Sequence, residues 1–135
     1  MKTILVDAWN TFVTIDGINL PMHKLLENYE NTKIILTNAT KQEQLKLGIK
    51  DMPYTVFSLE HNPDKTNPKY FSEMLSYFSL TPNDVVYFEH YKNAVNSAKS
   101  MHIETLWFKQ GSELVILEEF LKKNCVINVG SGQEL

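Results

Sequence analysis

The sequence predicts a single α/β domain built on a mainly parallel, five-stranded sheet with helices on both faces. Three observations carry that expectation. Short apolar runs alternate along the chain with segments of helical periodicity, as buried parallel strands and crossover helices do. Gly, Pro and Asn fall between these segments more than inside them. The 135 residues suffice for one hydrophobic core and leave little room for a second. Residues 1–127 are expected to form the domain, and residues 128–135, with Gly130-Ser131-Gly132, a flexible tail.

The elements follow in order. Ile4-Leu5-Val6 reads as a brief buried strand ending at Asp7. Residues 11–20 alternate around Asp16-Gly17, a pair that signals a hairpin. Pro21 opens a helix reaching about Asn28. Lys33 to Leu36 is a second buried strand, ending in Thr37-Asn38. Residues 40–48 read as helix, with Gly48 as the stop. Tyr54 to Phe57 is a third strand, and residues 61–68 form a polar loop with two prolines. Lys69 to Phe78 is a helix whose Tyr70, Phe71, Met74, Leu75 and Phe78 fall at core spacing. Val85 to Phe88 is a fourth strand, ending at Glu89-His90. A helix over about 92–101 and a strand from Ile103 to Phe108 follow. Ser112 is expected to cap a last amphipathic helix ending at Lys123.

Composition narrows the function classes. The net charge of −3 gives no electrostatic reason to expect a nucleic-acid or anionic-membrane partner. All the basic residues are lysine. Without arginine there is no planar fork for bidentate phosphate recognition, so an anion site must use lysine, hydroxyls and backbone N–H groups. Cys125 is the only cysteine; it excludes an intramolecular disulfide and is expected to pack in the core. No apolar run reaches the length of a membrane span. The start, Met1-Lys2-Thr3 with Asp7 close behind, does not read as a signal peptide, and a cytoplasmic location is expected.

Polar residues stand at three strand ends: Asp7 after the first, Thr37 after the second, Glu89-His90 after the fourth. Lys65 lies in the loop before a helix. A parallel sheet would gather them at its carboxyl edge, where open α/β sheets bind ligands. Their chemistry is complementary. A carboxylate serves as nucleophile or metal ligand, a hydroxyl and a lysine hold a phosphoryl group, and a second carboxylate completes a magnesium site. Each residue alone has a structural explanation, as an Asx-turn, a helix cap or a solvated charge. The ordered set points to a site.

That set resembles the haloacid dehalogenase-like (HAD) superfamily of phosphatases and phosphotransferases over about residues 3–108. The first motif is Ile4-Leu5-Val6-Asp7-Ala8-Trp9-Asn10-Thr11; the second is Ile34-Ile35-Leu36-Thr37-Asn38; the third is Lys65-Thr66-Asn67-Pro68; the fourth is Val85-Val86-Tyr87-Phe88-Glu89-His90. The resemblance implies a three-layer Rossmann-like fold, with the hairpin near Asp16-Gly17 as its flap. Asp7 would be the nucleophile, and Thr37 and Lys65 would hold the phosphoryl oxygens. Asp7, the main-chain carbonyl of Trp9 and Glu89 would hold Mg2+. In an alternative alignment of the fourth motif, His90 takes the metal position. Trp9, Asn10, Thr11 and Asn38 are the candidate substrate contacts. Trp9 either packs beneath the hairpin or stacks on an aromatic leaving group.

The match departs from the family at two points. Trp9 stands where its phosphatases carry the aspartate that shuttles protons, and His90 stands where the longer form of the fourth motif has a second acid. Asp7-Ala8-Trp9-Asn10-Thr11 is similar to the start of the true haloacid dehalogenases, but that activity is not expected without an arginine for the halide. Only about 25 residues separate successive motifs, too few for a cap domain. The expectation is therefore a capless, magnesium-dependent phosphohydrolase or phosphotransferase with impaired general acid chemistry, acting on a phosphorylated small molecule or macromolecule. A second reading is a binding or scaffolding protein that has lost turnover. A third is a receiver-like phosphoacceptor module, which strand order separates from the other two.

Overall fold

The computed structural model describes residues 1–125; residues 126–135, which include the expected end of the domain and its tail, lie outside the described residues. Five parallel strands form the sheet: β1 (Thr3–Asp7), β4 (Lys33–Thr37), β5 (Thr55–Ser58), β6 (Val85–Glu89) and β7 (Glu104–Trp107). Their order is β5-β4-β1-β6-β7. The first strand in the chain is therefore the central one, and all five of its residues are buried. Such a position demands an apolar run on both faces, and Ile4-Leu5-Val6 supplies it. Receiver-like domains place their first strand second from the edge, so this order sets the receiver reading aside.

Side chains alternate across the sheet. Ile4, Val6, Ile35, Val86 and Phe88 face one core. It is closed by Met22, Leu25 and Leu26 of α1 (Leu20–Leu26) and by Leu117 and Leu121 of α5 (Leu114–Asn124). Leu5, Ile34, Leu36, Val85 and Tyr87 face the other. That core is closed by Tyr70, Phe71, Met74 and Leu75 of α3 (Pro68–Tyr77) and by Ala98 of α4 (Lys92–Ser100). Cys125 is buried in the first core, consistent with its expected packing role. Between β1 and β4 there is room only for a hairpin and α1; between β4 and β5 only α2 (Lys41–Leu47) and one 3-10 turn intervene. No cap domain is inserted at either point.

Boundaries moved where local chemistry was misjudged. The helix expected over 40–48 is α2, with Thr40 and Glu43 forming a reciprocal capping box and Gly48 closing the end at φ 76°. The last helix is not capped by Ser112: its N-cap is Glu113, with no side-chain cap bond. Ser112 is held instead in a turn, its N–H donating to the Lys109 carbonyl at 2.9 Å. Pro68, expected in the polar loop, opens α3 behind an Asn67 cap. The hairpin is shorter than the alternation suggests. It pairs β2 (Val13–Thr14) with β3 (Gly17–Ile18), and its turn is Ile15-Asp16, one residue earlier than expected. Gly17 sits at φ 100°, a conformation that an L side chain rarely adopts.

No helix among the described residues is long and apolar enough to cross a membrane. Two leucines of different burial test the core assignment. Leu117 is fully buried, whereas Leu45 on α2 is 60% exposed. Leu117→Ala should cost about 2–5 kcal/mol in urea unfolding, and Leu45→Ala should stay within about 0.5 kcal/mol.

Candidate active site

Strand order reverses between β1 and β6, and a crevice at the carboxyl ends of strands is expected at such a switch point. Asp7 ends β1 and Glu89 ends β6, two residues beyond Leu5 and Tyr87 on the same face. Period-2 geometry thus sends both carboxylates toward the α3/α4 side, from which Lys65 approaches. All three are buried, at 2%, 1% and 6% exposure. The Lys65 ammonium bridges them, with Nζ 2.8 Å from Asp7 Oδ1 and 2.8 Å from Glu89 Oε1. It also donates to the Leu36 carbonyl at 3.3 Å.

The second oxygen of Asp7 is held separately. Oδ2 accepts from Thr11 Oγ1 at 2.7 Å. It lies 2.5 Å from His90 Nδ1 and accepts the His90 backbone N–H at 3.3 Å. The turn after β1 creates the first of these contacts. Asn10 takes φ 66°, a left-handed conformation that asparagine tolerates, and the chain doubles back so that Thr11 faces Asp7. Glu89 is held equally closely: Tyr87 donates its phenol to Oε1, and the Tyr91 N–H donates to Oε2 at 3.0 Å.

Electrostatics separate the two carboxylates. Burial works against the Asp7 charge, but the Lys65 ammonium and the His90 hydrogen bond hold its carboxyl well below the usual range. Burial pushes Glu89 up; Lys65 opposes that rise and the Asp7 charge adds to it. Burial likewise opposes the Lys65 charge, yet Asp7 and Glu89 hold its ammonium well above its ordinary value. The His90 imidazole is raised by its hydrogen bond to Asp7, against burial and with the help of the carboxylate charges.

A cavity of about 250 Å3 opens over this cluster. Asp7, Trp9, Thr37, Asn38, Lys65 and Glu89 all line it. Thr37 Oγ1 accepts the Ala39 N–H at 3.2 Å, and Asn38 Oδ1 accepts the Lys65 N–H at 2.7 Å, tying the Lys65 loop to the end of β4. Trp9 is half-buried; its backbone forms a β-bridge to Val13 of the hairpin and the residue lines the cavity. Asn10 and Thr11 do not line the cavity; Asn10 is an exposed turn residue and Thr11 is buried against Asp7.

Asp7, Glu89 and His90 place possible ligand atoms within 4.8 Å of one another. The two carboxylates offer the hard oxygens that magnesium prefers. The imidazole does not suit that ion, and its Nδ1 is already engaged with Asp7. Asp7 and Glu89 thus supply the oxygen donors of the group, with the Lys65 ammonium bridging Oδ1 and Oε1 and His90 as a hydrogen-bond partner.

Sequence reasoning missed several contributors. Tyr87 was legible as a polar-tipped residue two positions before Glu89 on one face of a strand. Tyr70, whose hydroxyl donates to the Thr37 carbonyl at 2.9 Å, looked like plain core. Glu43, His61 and Asp64 form a rim cluster: His61 Nε2 lies 2.8 Å from Glu43, and Nδ1 lies 2.8 Å from Asp64. That cluster joins one loop to α2 across 18 residues of sequence, so no spacing announces the Glu43 contact.

The fold is similar to that of haloacid dehalogenase-like proteins, as comparison with solved structures shows. A haloacid dehalogenase family enzyme from Bacteroides thetaiotaomicron, an aspartate-to-alanine variant in complex with magnesium and inorganic phosphate, is similar at TM-score 0.63 and 13% identity, covering 87% of this chain and 98% of that one. An uncharacterized protein from Corynebacterium glutamicum is similar at TM-score 0.62 and 19% identity, covering 90% of this chain and 93% of that one. A conserved haloacid dehalogenase-like protein of unknown function from Agrobacterium tumefaciens gives TM-score 0.50 at 19% identity, covering 62% and 41%. At these identities the likeness is one of fold. No family model and no curated protein matches the chain.

Two measurements probe this geometry. Lys65→Met leaves two buried carboxylates without their cation and should cost about 3–5 kcal/mol in urea unfolding. At the rim, the hydrogen bond to Glu43 raises the His61 imidazole; burial opposes the rise and the hydrogen bond to Asp64 adds to it. A raised folded-state value stabilises below the unfolded value, and that contribution disappears as pH rises through the folded one. The stability advantage of wild type over His61→Gln should therefore be larger at about pH 5.5 than at about pH 9.

Proposed function

We propose that this chain is a capless, HAD-type phosphohydrolase or phosphotransferase that works through an aspartyl-phosphate on Asp7 with magnesium. The observation that carries this reading is the state of Asp7. It is buried at the wall of a cavity, held ionised, and oriented through both oxygens. Such preorganisation suits in-line attack on phosphorus, where catalysis is mainly positioning and charge neutralisation. A phosphorylated small molecule or the phosphorylated end of a macromolecule is the substrate, and a cytoplasmic setting suits the single buried thiol.

Oδ2 already accepts from Thr11 and His90, whereas Oδ1 meets only Lys65, so Oδ1 is the attacking oxygen. Its bond to phosphorus forms as the bond from phosphorus to the leaving oxygen breaks. Water, or another acceptor hydroxyl, then takes the phosphoryl group and restores the Asp7 carboxylate. Lys65 shields the Asp7 charge from the incoming phosphate, and Thr37 and Asn38 orient the phosphoryl oxygens. Asp7, Glu89 and the main-chain carbonyl of Trp9 would hold magnesium, which supplies neutralisation of the phosphoryl charge when bound. The indole N–H of Trp9 is far too weak an acid to protonate the departing oxygen. General acid help is typically worth about 100- to 10,000-fold, so leaving groups that depart as stable anions are favoured.

Two features favour a second reading, a binding domain without turnover. The indole of Trp9 and the His90 contact on Asp7 Oδ2 would both be tolerated in a site that only holds a phosphate ester.

Hydrolysis of acyl, aryl and alkyl phosphates with magnesium separates the two. Activity should follow leaving-group acidity and vanish in Asp7→Asn; equal background rates in both proteins would leave only the binding reading. Trp9→Asp should raise alkyl phosphate hydrolysis by about 100-fold or more and acyl phosphate hydrolysis far less. Magnesium with a phosphate analogue should raise the melting temperature, by mass action on the folded state.

A further inference from the structure

We propose that His61 is a positioning residue: its imidazole ties α2 to the Lys65 loop and so holds one side of the Asp7 cavity in place over a bound phosphoryl group. The role over a phosphoryl group rests on the phosphoryl-transfer reading of Asp7; the tie itself does not. His61 Nε2 lies 2.8 Å from Glu43 Oε1 on α2, and Nδ1 lies 2.8 Å from Asp64 Oδ1. Asp64 directly precedes Lys65, whose ammonium holds Asp7 and Glu89. Glu43, His61 and Lys65 all line the cavity. A neutral imidazole has one N–H and can donate to only one of the two carboxylates. Both contacts together therefore require the ring with a proton on each nitrogen. The hydrogen bond to Glu43 favours that form; burial opposes it and Asp64 adds to it.

The packing of α2 leaves it dependent on such a tie. None of its side chains is fully buried, and its apolar anchor is Leu47, at the carboxyl end, which packs partly against the first core. Its amino end is held by polar bonds. Thr40 and Glu43 cap it, and Gln44 Nε2 donates to the Ala39 carbonyl at 3.1 Å. The facing loop adds the rest: the Lys41 N–H donates to Glu60 Oε1 at 3.2 Å, and His61 donates to Glu43. Glu60 and His61 stand at φ 53° and φ 67°. Left-handed backbone at successive non-glycine residues is uncommon and costs free energy; here it accompanies side chains that both reach α2. Glu43 Oε1 also accepts the Thr40 N–H at 2.9 Å, so removing the imidazole keeps the helix cap and frees the loop. Glu43 and Asp64 are the charged groups that act on the ring. With the folded-state value raised, the tie is present at low pH and is lost as pH rises through that value. The three side chains are about half exposed, so its effect is a small factor.

Amide hydrogen exchange of the whole chain, corrected for its intrinsic pH dependence, reads the tie without any substrate. At about pH 6 the α2 amides should exchange about two- to fivefold faster in His61→Gln than in wild type, the scale of an exposed ion pair. At about pH 9 the two proteins should nearly match. Calorimetric titration with inorganic phosphate in magnesium reads the positioning. Wild type should bind phosphate more tightly than His61→Gln by a similar factor at about pH 6 and equally at about pH 9; the ionisation of phosphate itself cancels in that ratio. Glu43→Gln keeps a cap acceptor and weakens the tie, so it should loosen both α2 and phosphate at about pH 6. A direct Coulomb pull of the imidazolium on phosphate predicts the reverse, because that variant removes a negative charge from the rim. Equal α2 exchange in wild type and His61→Gln, phosphate affinity indifferent to His61→Gln, or tighter phosphate binding in Glu43→Gln would overturn the positioning role and leave Asp7 chemistry standing. The expected exchange and phosphate profiles without hydrolysis of any acyl phosphate would support the positioning role and remove the hydrolase reading.

Discussion

The Lys65 ammonium is the interaction on which the site depends. Two carboxylates from adjacent central strands end within reach of each other in a buried space, an arrangement that would repel itself without a cation. Lys65 Nζ reaches both at 2.8 Å. Such buried pairs owe little to net Coulomb gain, since desolvation offsets much of it. What Lys65 secures is geometry. It holds Asp7 ionised, fixes one Asp7 oxygen, and leaves the other to Thr11 and His90.

The rest of the structure serves that contact. Lys65 comes from a loop whose backbone is fixed by Asn38, at the end of β4. Tyr70, one turn into α3, spans the ends of β4 and β5 through its hydroxyl. The loop is thereby fastened to two strands before its side chain enters the interior. β1 must then be central, because only a central strand has neighbours on both sides to deliver Thr37 and Glu89 beside Asp7. A one-residue slip of β1 would turn Asp7 to the opposite face, away from Lys65. The apolar alternation of Ile4-Leu5-Val6 between two cores prevents that slip.

This explains what was legible in the sequence. A buried parallel strand needs a continuous apolar run, so the strands and their polar ends stood out at Asp7, Thr37 and Glu89. Helix limits were legible where a side chain commits the backbone, as Thr40 and Gly48 do, and not at Ser112, where a neighbouring turn takes the residue. The roles of Asn10 and Asn38 were not legible. Each depends on a backbone group brought near by the fold: a left-handed turn for Asn10, a distant loop N–H for Asn38. Long-range polar contacts of that kind leave no period. The rim cluster of Glu43, His61 and Asp64 was hidden for the same reason.

The two departures from the expected motifs affect different parts of the chemistry. His90 stands where an acid was expected and holds Asp7 Oδ2, so its imidazole joins Lys65 in favouring the Asp7 charge. Trp9 puts an indole where a proton carrier was expected, and none of the hydrogen bonds that hold Asp7 comes from its side chain. Electrostatic preorganisation and proton transfer are thus separated in one site. On the proposed phosphoryl-transfer reading, a site that keeps the first and lacks the second selects by leaving group: it favours phosphates whose departing oxygen needs no proton, or it holds phosphate esters without cleaving them. Which of these prevails is decided by the substrate's own acidity, because the protein contributes the same oriented carboxylate to both.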